Sequence, residues 1–302
     1  MQRQEASILL SAIAGKRALV VGDVLLDSFV YGEVKRISRE APVPVLSERR
    51  REMMLGGAGN LVRNLISLGG TASAVRVAGD DAHAPAVEAL LGECGASSVA
   101  LVQQPGRKTP TKTRYVSGSQ QMFCVDCDPG GSISPDSERR IIAVVADAMG
   151  GADVVVLSDY GRGMLTPELC REVISLARAA GKPVCVDPRG ADYSRYDGAT
   201  LIKPNAQELA DEVGLPVGSD SEAEAALGAL KARLGSTPAL IVTRGAQGMS
   251  LIENGTVHHH RARPRSVYDV SGAGDTALAA LSLGVAAGLP LVDAMALADL
   301  AA

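Results

Sequence analysis

The sequence predicts a doubly wound α/β fold: a mostly parallel sheet with helices on both faces, carrying a small β-sheet lid. Three observations lead there. Short Val-rich runs without polar alternation recur between helical patterns, as parallel strands covered on both faces require. Two other stretches do alternate, which gives each one buried and one wet face. Glycine reaches 33 of 302 residues, roughly 11% against a usual ~7%, which suits tight βα turns and backbone lying close to a ligand.

The elements follow in order. The opening MQRQEASILLSAIAGKR has an apolar patch interrupted by Ser and lacks a cleavage site, so a leading helix is expected rather than a secretory signal. Strands are expected at 17–22, 73–78, 153–158, 184–187, 200–202 and 239–243, and helices at 58–68, 83–93, 136–149, 167–180, 206–213 and 220–234. Residues 28–52 and 111–128 read as strands with no helix between them, and Pro42 and Pro44 suit an edge. These two insertions are expected to form the lid of a single domain spanning 1–302, a size that admits one large α/β domain with an appendage. Residues 249–260 predict a hairpin turning at Asn254-Gly255.

Composition excludes several classes. A hydrophobic share of 46% and a charged share of 21% are those of a globular chain, not a disordered one. With no Trp and two Phe, aliphatic side chains must fill the core. A net charge of −4 argues against a general nucleic-acid binder. No run of 18 apolar residues occurs, so no membrane-spanning helix is expected. Five scattered cysteines read as reduced thiols of a cytoplasmic protein. Cys124 and Cys127 have C-x-x-C spacing, but on a strand they face opposite sides, and no direct metal site is expected.

The segment Asp269-Val270-Ser271-Gly272-Ala273-Gly274-Asp275-Thr276 is the most informative. Its glycines free the backbone to turn, and the small-residue helix that follows offers unpaired N–H groups and a dipole to an anion. A carboxylate there makes sense if Asp275 takes a proton from an attacking hydroxyl beside a phosphate. Taken alone, the segment is equally a Gly-rich turn with Asp275 as helix cap. No G-x-x-x-x-G-K-[ST] is present, and Val21-Gly22-Asp23-Val24-Leu25-Leu26-Asp27 stands where a dinucleotide site would carry G-x-G-x-x-G. Asp23 and Asp27 at the end of a strand suit sugar hydroxyls better than pyrophosphate. Gly56-Gly57-Ala58-Gly59-Asn60 is either a tight helix start or a polyol contact, with Asn60 bridging hydroxyls. Lys112 and Arg114 share one face of a lid strand, where Arg matches phosphate oxygens. Lys203 is balanced between a phosphate contact and a surface charge.

With Gly56-Gly57 early, Asn205-Ala206-Gln207-Glu208 in the middle and Gly272-Ala273-Gly274-Asp275-Thr276 late, the chain resembles the ribokinase-like (PfkB) sugar kinases from about residue 15 onward. Within them it is most similar to the D-glycero-β-D-manno-heptose 7-phosphate kinases. The residues behind this are Arg36 through Val45 (RISREAPVPV), Ser158 through Gly163 (SDYGRG), Val186 through Gly190 (VDPRG) and Tyr196 through Glu208 (YDGATLIKPNAQE). The resemblance implies Asp275 as catalytic base and the Gly272, Ala273, Gly274 and Asp275 amides as anion hole. It implies that Asn205 and Glu208 place Mg²⁺ and the ATP phosphates through water, with no direct protein ligand. It sets Thr243, Arg244 and Gly245 at the nucleotide phosphates and ribose, and Asp23, Asp27, Gly57, Asn60, Lys112 and Arg114 at the sugar. It further implies a homodimer formed through the lid, and a product on the route to ADP-heptose and lipopolysaccharide.

The chain departs from that pattern at Cys124, where an Arg is usual, and at Ser271, where Thr is common. It is also expected to end at Ala302 inside the helix following the glycine turn, whereas relatives continue into a helix that closes the adenine pocket. A kinase of another sugar or nucleoside is the nearest alternative. A nicotinamide oxidoreductase is disfavoured by the absent G-x-G-x-x-G, and a non-catalytic sugar-phosphate-binding protein would show no ATP turnover.

Overall fold

The computed structural model describes residues 3–237, 239–262 and 272–302. After α1 (Arg3–Ile13) the chain enters β1 (Arg17–Gly22) and passes into the lid strands β2 (Val24–Ile37) and β3 (Pro44–Gly57). One side of the large sheet follows, as α2 (Ala58–Ser67), β4 (Thr71–Ala78), α3 (Ala84–Glu93) and β5 (Ser98–Gln103). The lid is completed by β6 (Thr111–Ser117) and β7 (Gln120–Cys127). The other side is built from α4 (Pro135–Ala148), β8 (Val154–Ser158), α5 (Pro167–Ala179), β9 (Val184–Asp187) and β10 (Leu201–Ile202). It continues through α6 (Ala206–Val213), α7 (Asp220–Arg233), β11 (Ala239–Thr243), β12 (Met249–Glu253) and β13 (Thr256–His260). The last elements are α8 (Ala273–Ala286) and α9 (Leu291–Ala301).

Among the described residues, the large sheet has the order β13-β12-β11-β10-β9-β8-β1-β4-β5. It is parallel throughout except at β11-β12 and β12-β13. Its strands lack alternation because both faces are covered. Leu19, Val21, Val155 and Leu157 enter one core, while Ala18, Val20, Val154 and Val156 enter the other. From β1 the chain first builds outward through β4 and β5, then returns to start β8 on the opposite side. The sheet therefore reverses between β1 and β8, and in open α/β sheets ligands bind outside the strand ends at such a point. Gly22 and Ser158 end those strands, packed so closely that a Cβ on Gly22 would lie 2.3 Å from the Ser158 carbonyl oxygen.

The two alternating stretches form one separate sheet, β3-β2-β6-β7. It is longer than expected, because only Asp23 separates β2 from β1 and pairing runs from Val24 opposite Gly57 to Ile37 opposite Pro44. Register places Asp27, Phe29, Lys112, Arg114, Cys124 and Asp126 on one face and Met53, Tyr115, Phe123 and Val125 on the other. The β12-β13 hairpin turns at Asn254 and Gly255 with φ of 49° and 78°, the mirror-image turn that matches strand twist.

Two expectations need correction. Residues 98–103 form β5, an edge strand whose mixed exposure hides its periodicity. The helix after the glycine turn ends at Ala286, where Gly288 takes φ +71° and Pro290 caps a separate helix, α9. Ala302 thus follows α9 and does not lie inside α8.

Candidate active site

Asp275 lies in the first turn of α8, only 5% exposed. The turn is set by Gly272, the N-cap, at φ +82°. A Cβ there would meet Nδ2 of Asn60 at 2.9 Å, so a side chain would displace the group that touches Asp275. Both carboxylate oxygens are engaged: the Tyr160 hydroxyl donates to Oδ1 at 2.6 Å and the Asn60 amide donates to Oδ2 at 2.6 Å. Burial pushes the carboxyl above its ordinary range, opposed by these two hydrogen bonds and by Lys203 and Arg63. The first-turn amides at Gly272 through Asp275 belong to the set for which a helix has no internal acceptor. Asp269, Val270 and Ser271 of the motif lie outside the described residues.

A cleft of about 230 Å³ opens beside Asp275. It is lined by Gly272, Gly274 and Asp275 together with Asn205, Glu208 and Thr243. Lys203 also lines it, 2% exposed, with Nζ 2.9 Å from Asp187. Burial works against the Lys203 charge, but Asp187 outweighs it and the pKa is raised. Burial pushes Asp187 up to about 6, with Lys203 pulling the other way. A buried cation beside a helix N-terminus in one cleft is a place for phosphate oxygens.

Asn205 and Glu208 form a reciprocal capping box at the start of α6. The Asn205 side chain accepts from the Glu208 N–H at 2.9 Å, and the Glu208 carboxylate accepts from the Asn205 N–H at 2.9 Å. Glu208 Oε1 also pairs with Arg189 at 3.1 Å. Among the described residues no cluster of three or more His, Cys, Asp or Glu could cage a metal ion. The oxygen donors of Asn205, Glu208 and Asp187 fit Mg²⁺ instead, which keeps most of its waters and takes the rest of its shell from phosphates.

Beyond Thr243 a second cavity of about 420 Å³ is lined by Gly218, Ser219, Asp220, Arg244, Gln247 and Arg261. Gly245, at φ +55°, has open space where a Cβ would point. Arg244 lines this second cavity, and its guanidinium, 2% exposed, pairs with Asp220 at 2.5 Å. In this arrangement the guanidinium holds the start of α7.

Near the lid, Asp23 and Asp27 differ sharply. Asp23 is buried and accepts three backbone N–H bonds, from Tyr160 at 3.2 Å, Arg162 at 2.9 Å and Met164 at 3.2 Å. With both oxygens so engaged, it holds the loop after β8 and is not presented to a sugar. Asp27 faces the lid cations, 2.9 Å from Arg114. Asn60 is tied to the Asp275 carboxylate: its amide nitrogen donates to Asp275 at 2.6 Å and its oxygen accepts from Arg63 at 2.6 Å, each atom keeping a second hydrogen-bonding position. Gly57 takes φ +57°, and a Cβ there would lie 2.4 Å from the Asp23 carbonyl oxygen, so it serves the bend between β3 and α2. Lys112 pairs with Asp126 at 3.1 Å. Arg162 from the main body reaches Asp126 at 3.8 Å and also pairs with Asp128.

Sequence reasoning missed Tyr160, Arg162 and Asp187, although all three stand in segments that carried the resemblance. Lys203 is no surface charge: it is buried and lines the cleft.

A family model described as pfkB family carbohydrate kinase matches residues 16–302. The chain is 46% identical over 291 residues to a "Bifunctional protein HldE" of Caulobacter vibrioides, covering 96% of this chain and 60% of that protein. It is 42% identical over 295 residues to the HldE protein of Rhodospirillum rubrum, covering 97% of this chain and 59% of that one. The chain thus spans about three-fifths of the length of these curated relatives. Among solved structures, phosphofructokinase-2 from Escherichia coli in complex with potassium superposes with a TM-score of 0.79 at 22% identity, covering 95% of this chain and 90% of the other. Arabidopsis thaliana ribokinase complexed with ribose and ATP gives 0.72 at 21% identity, covering 94% and 90%. At such identities the likeness is one of fold.

Proposed function

The chain belongs to the pfkB family of carbohydrate kinases, and from that premise we propose that it phosphorylates the anomeric C1 hydroxyl of D-glycero-β-D-manno-heptose 7-phosphate. ATP is the phosphoryl donor and the 1,7-bisphosphate the product. One observation carries this reading: a buried carboxylate, Asp275, shares a cleft with a helix N-terminus and the buried cation Lys203.

In this reading the C1 hydroxyl gives its proton to Asp275 as its oxygen bonds to the γ-phosphorus, and the bond from that phosphorus to the bridging oxygen breaks to release ADP. An anomeric hydroxyl is more acidic than an ordinary alcohol, so a carboxylate is a sufficient base. Phosphoryl transfer asks mainly for positioning and neutralisation of charge. The α8 amides and Lys203 face the developing charge on the phosphoryl oxygens. Mg²⁺, when held through water by Asn205 and Glu208, supplies further neutralisation at the ATP phosphates. The nucleotide extends past Thr243 and Gly245 into the second cavity.

Lys112, Arg114 and Arg162 support a phosphorylated sugar as substrate. Three cations converge on the lid face that carries Asp27, balanced by Asp126 and Asp128. A sugar phosphate entering there replaces carboxylates as the cations' partner, while Asp27 takes a hydroxyl. The reverse face exposes Met53, Phe123 and Val125, which supports a homodimer closed lid to lid. We read residues 1–302 as one kinase domain with a lid, acting in the cytoplasm on the route to ADP-heptose and lipopolysaccharide. Among the described residues no helix is long and apolar enough to cross a membrane.

A coupled ADP-release assay over sugars and sugar phosphates tests the substrate. The heptose 7-phosphate should give the highest kcat/KM, well above the unphosphorylated heptose, ribose and fructose 6-phosphate. Equal rates with unphosphorylated sugars, or no turnover with any sugar, would overturn the proposal.

A further inference from the structure

We propose that Tyr160 is a positioning residue that keeps Asp275 ionised and aimed, so that this phenol sets the pH at which the base becomes active. The proposal deepens the reading of Asp275 as base and rests on it. Its ground is the way the loop after β8 is built. Three consecutive alternate amides, those of Tyr160, Arg162 and Met164, converge on the single buried carboxylate of Asp23. The Gly161 N–H donates to Asp159 at 2.7 Å, and the Arg162 carbonyl accepts from buried Arg107 at 2.5 Å. Gly161 and Gly163 take φ of +67° and +84°, and a Cβ on Gly163 would lie 2.2 Å from the Gly131 carbonyl oxygen. So constrained a loop presents few side chains, and Tyr160 is aimed at Oδ1 of Asp275.

The phenol suits this task because it stays neutral. Burial, followed by the Asp275 charge, pushes its pKa far above the ordinary tyrosine range. It therefore acts as a donor, favouring the carboxylate over the carboxylic acid. Each Asp275 oxygen retains a second lone pair for a sugar hydroxyl. The other groups around Asp275 divide by sign. Arg63 and Asn60 on α2 and Lys203 after β10 favour its ionised form, whereas burial and the neighbouring Asp187 at the end of β9 disfavour it. Glu208 on α6 lines the same cleft. Without Tyr160 the balance moves toward the acid.

The test reads Asp275 directly and needs no substrate. In the chain labelled with ¹³C at aspartate side-chain carboxyls, the Asp275 signal is the one missing from Asp275→Asn. Tyr160→Phe keeps the ring and removes the donor, so the Asp275 midpoint should rise by about 1–2 pH units, the size of a hydrogen bond to a charged group. Uniform 3-fluorotyrosine strengthens the donor without changing the chain, and should lower the midpoint. Among the described tyrosines only Tyr160 donates to Asp275. This second arm reads the same bond should Tyr160→Phe fold poorly.

In kcat/KM against pH, the acid limb of Tyr160→Phe should move up by the same amount. That gives a loss of about 10–100-fold below the limb and little on the plateau. Titration of the sugar phosphate affects parent and variant alike and cancels. An unchanged midpoint in both arms, or a uniform loss across all pH values, would overturn the proposal. A moved midpoint with an unmoved acid limb would uphold the hold on Asp275 and instead remove Asp275 as the base.

Discussion

Replacing Asp275 by Asn separates catalysis from stability, and the local geometry gives the sign of each. The amide can keep its oxygen toward the Tyr160 hydroxyl, 2.6 Å away. Its NH₂ then faces Nδ2 of Asn60 across the present 2.6 Å contact, donor against donor. Turning the Asn60 amide over relieves the conflict and gives up its exposed bond from Arg63, worth about 0.5–1.5 kcal/mol. Against that cost stands the removal of a buried charge. Burial raises the folded-state pKa of Asp275, so its ionised form detracts from stability at any pH above the ordinary carboxylate range. Asp275→Asn should therefore melt no lower than the parent at neutral pH, with any gain fading in acid as the parent carboxyl takes up its proton. Without the base, kcat should fall by roughly 10²–10⁴-fold, while ATP binding persists. Single-turnover kinetics, nucleotide titration and thermal melts of both proteins check this. Near-normal turnover would remove Asp275 from the chemistry, and a collapsed melting temperature would make it a structural residue.

Further outcomes are expected elsewhere in the site. Arg114→Ala should lower kcat/KM for the heptose 7-phosphate by about 10–150-fold, the worth of one charge-assisted hydrogen bond, and should weaken the preference over the dephosphorylated sugar; an unchanged preference moves the anchor to Lys112 or Arg162. Glu208→Gln should raise the Mg²⁺ concentration for half-maximal rate while leaving the melting temperature nearly constant, since Gln also closes a capping box; an unchanged Mg²⁺ dependence makes the residue purely structural. Gly57→Ala combines positive-φ strain with a 2.4 Å approach to the Asp23 carbonyl oxygen, at a cost of about 2–6 kcal/mol; denaturant unfolding should show it, and a parental midpoint would mean that the bend between β3 and α2 relaxes freely.

The parts of the fold written in local pattern were legible. Val20, Val21, Val155 and Val156 face two cores and lose alternation, and Asn254-Gly255 marks its own turn. β5 was illegible because an edge strand is only partly covered, and α9 because the composition on either side of Pro290 is alike. The turn that borders the candidate cleft was legible in its glycines, since Gly272 takes a φ of +82° that favours glycine. Partnership was not. Asp23 and Asp27 look equivalent in sequence, yet one turns into the loop after β8 and the other into the lid. Asn60 and Tyr160 meet Asp275 from 215 and 115 residues away, a relation that no spacing encodes.

The proposed reaction turns on where the phosphoryl group goes and what sends it there. Proton-coupled ³¹P NMR of the product made from ATP and heptose 7-phosphate reads both. A new phosphate coupled to the anomeric proton, with the original monoester retained, and its formation slowed by roughly 10²–10⁴-fold when Asp275→Asn replaces the parent, is the predicted result. A phosphate on any other carbon, or the same product formed at the same rate without Asp275, would contradict it.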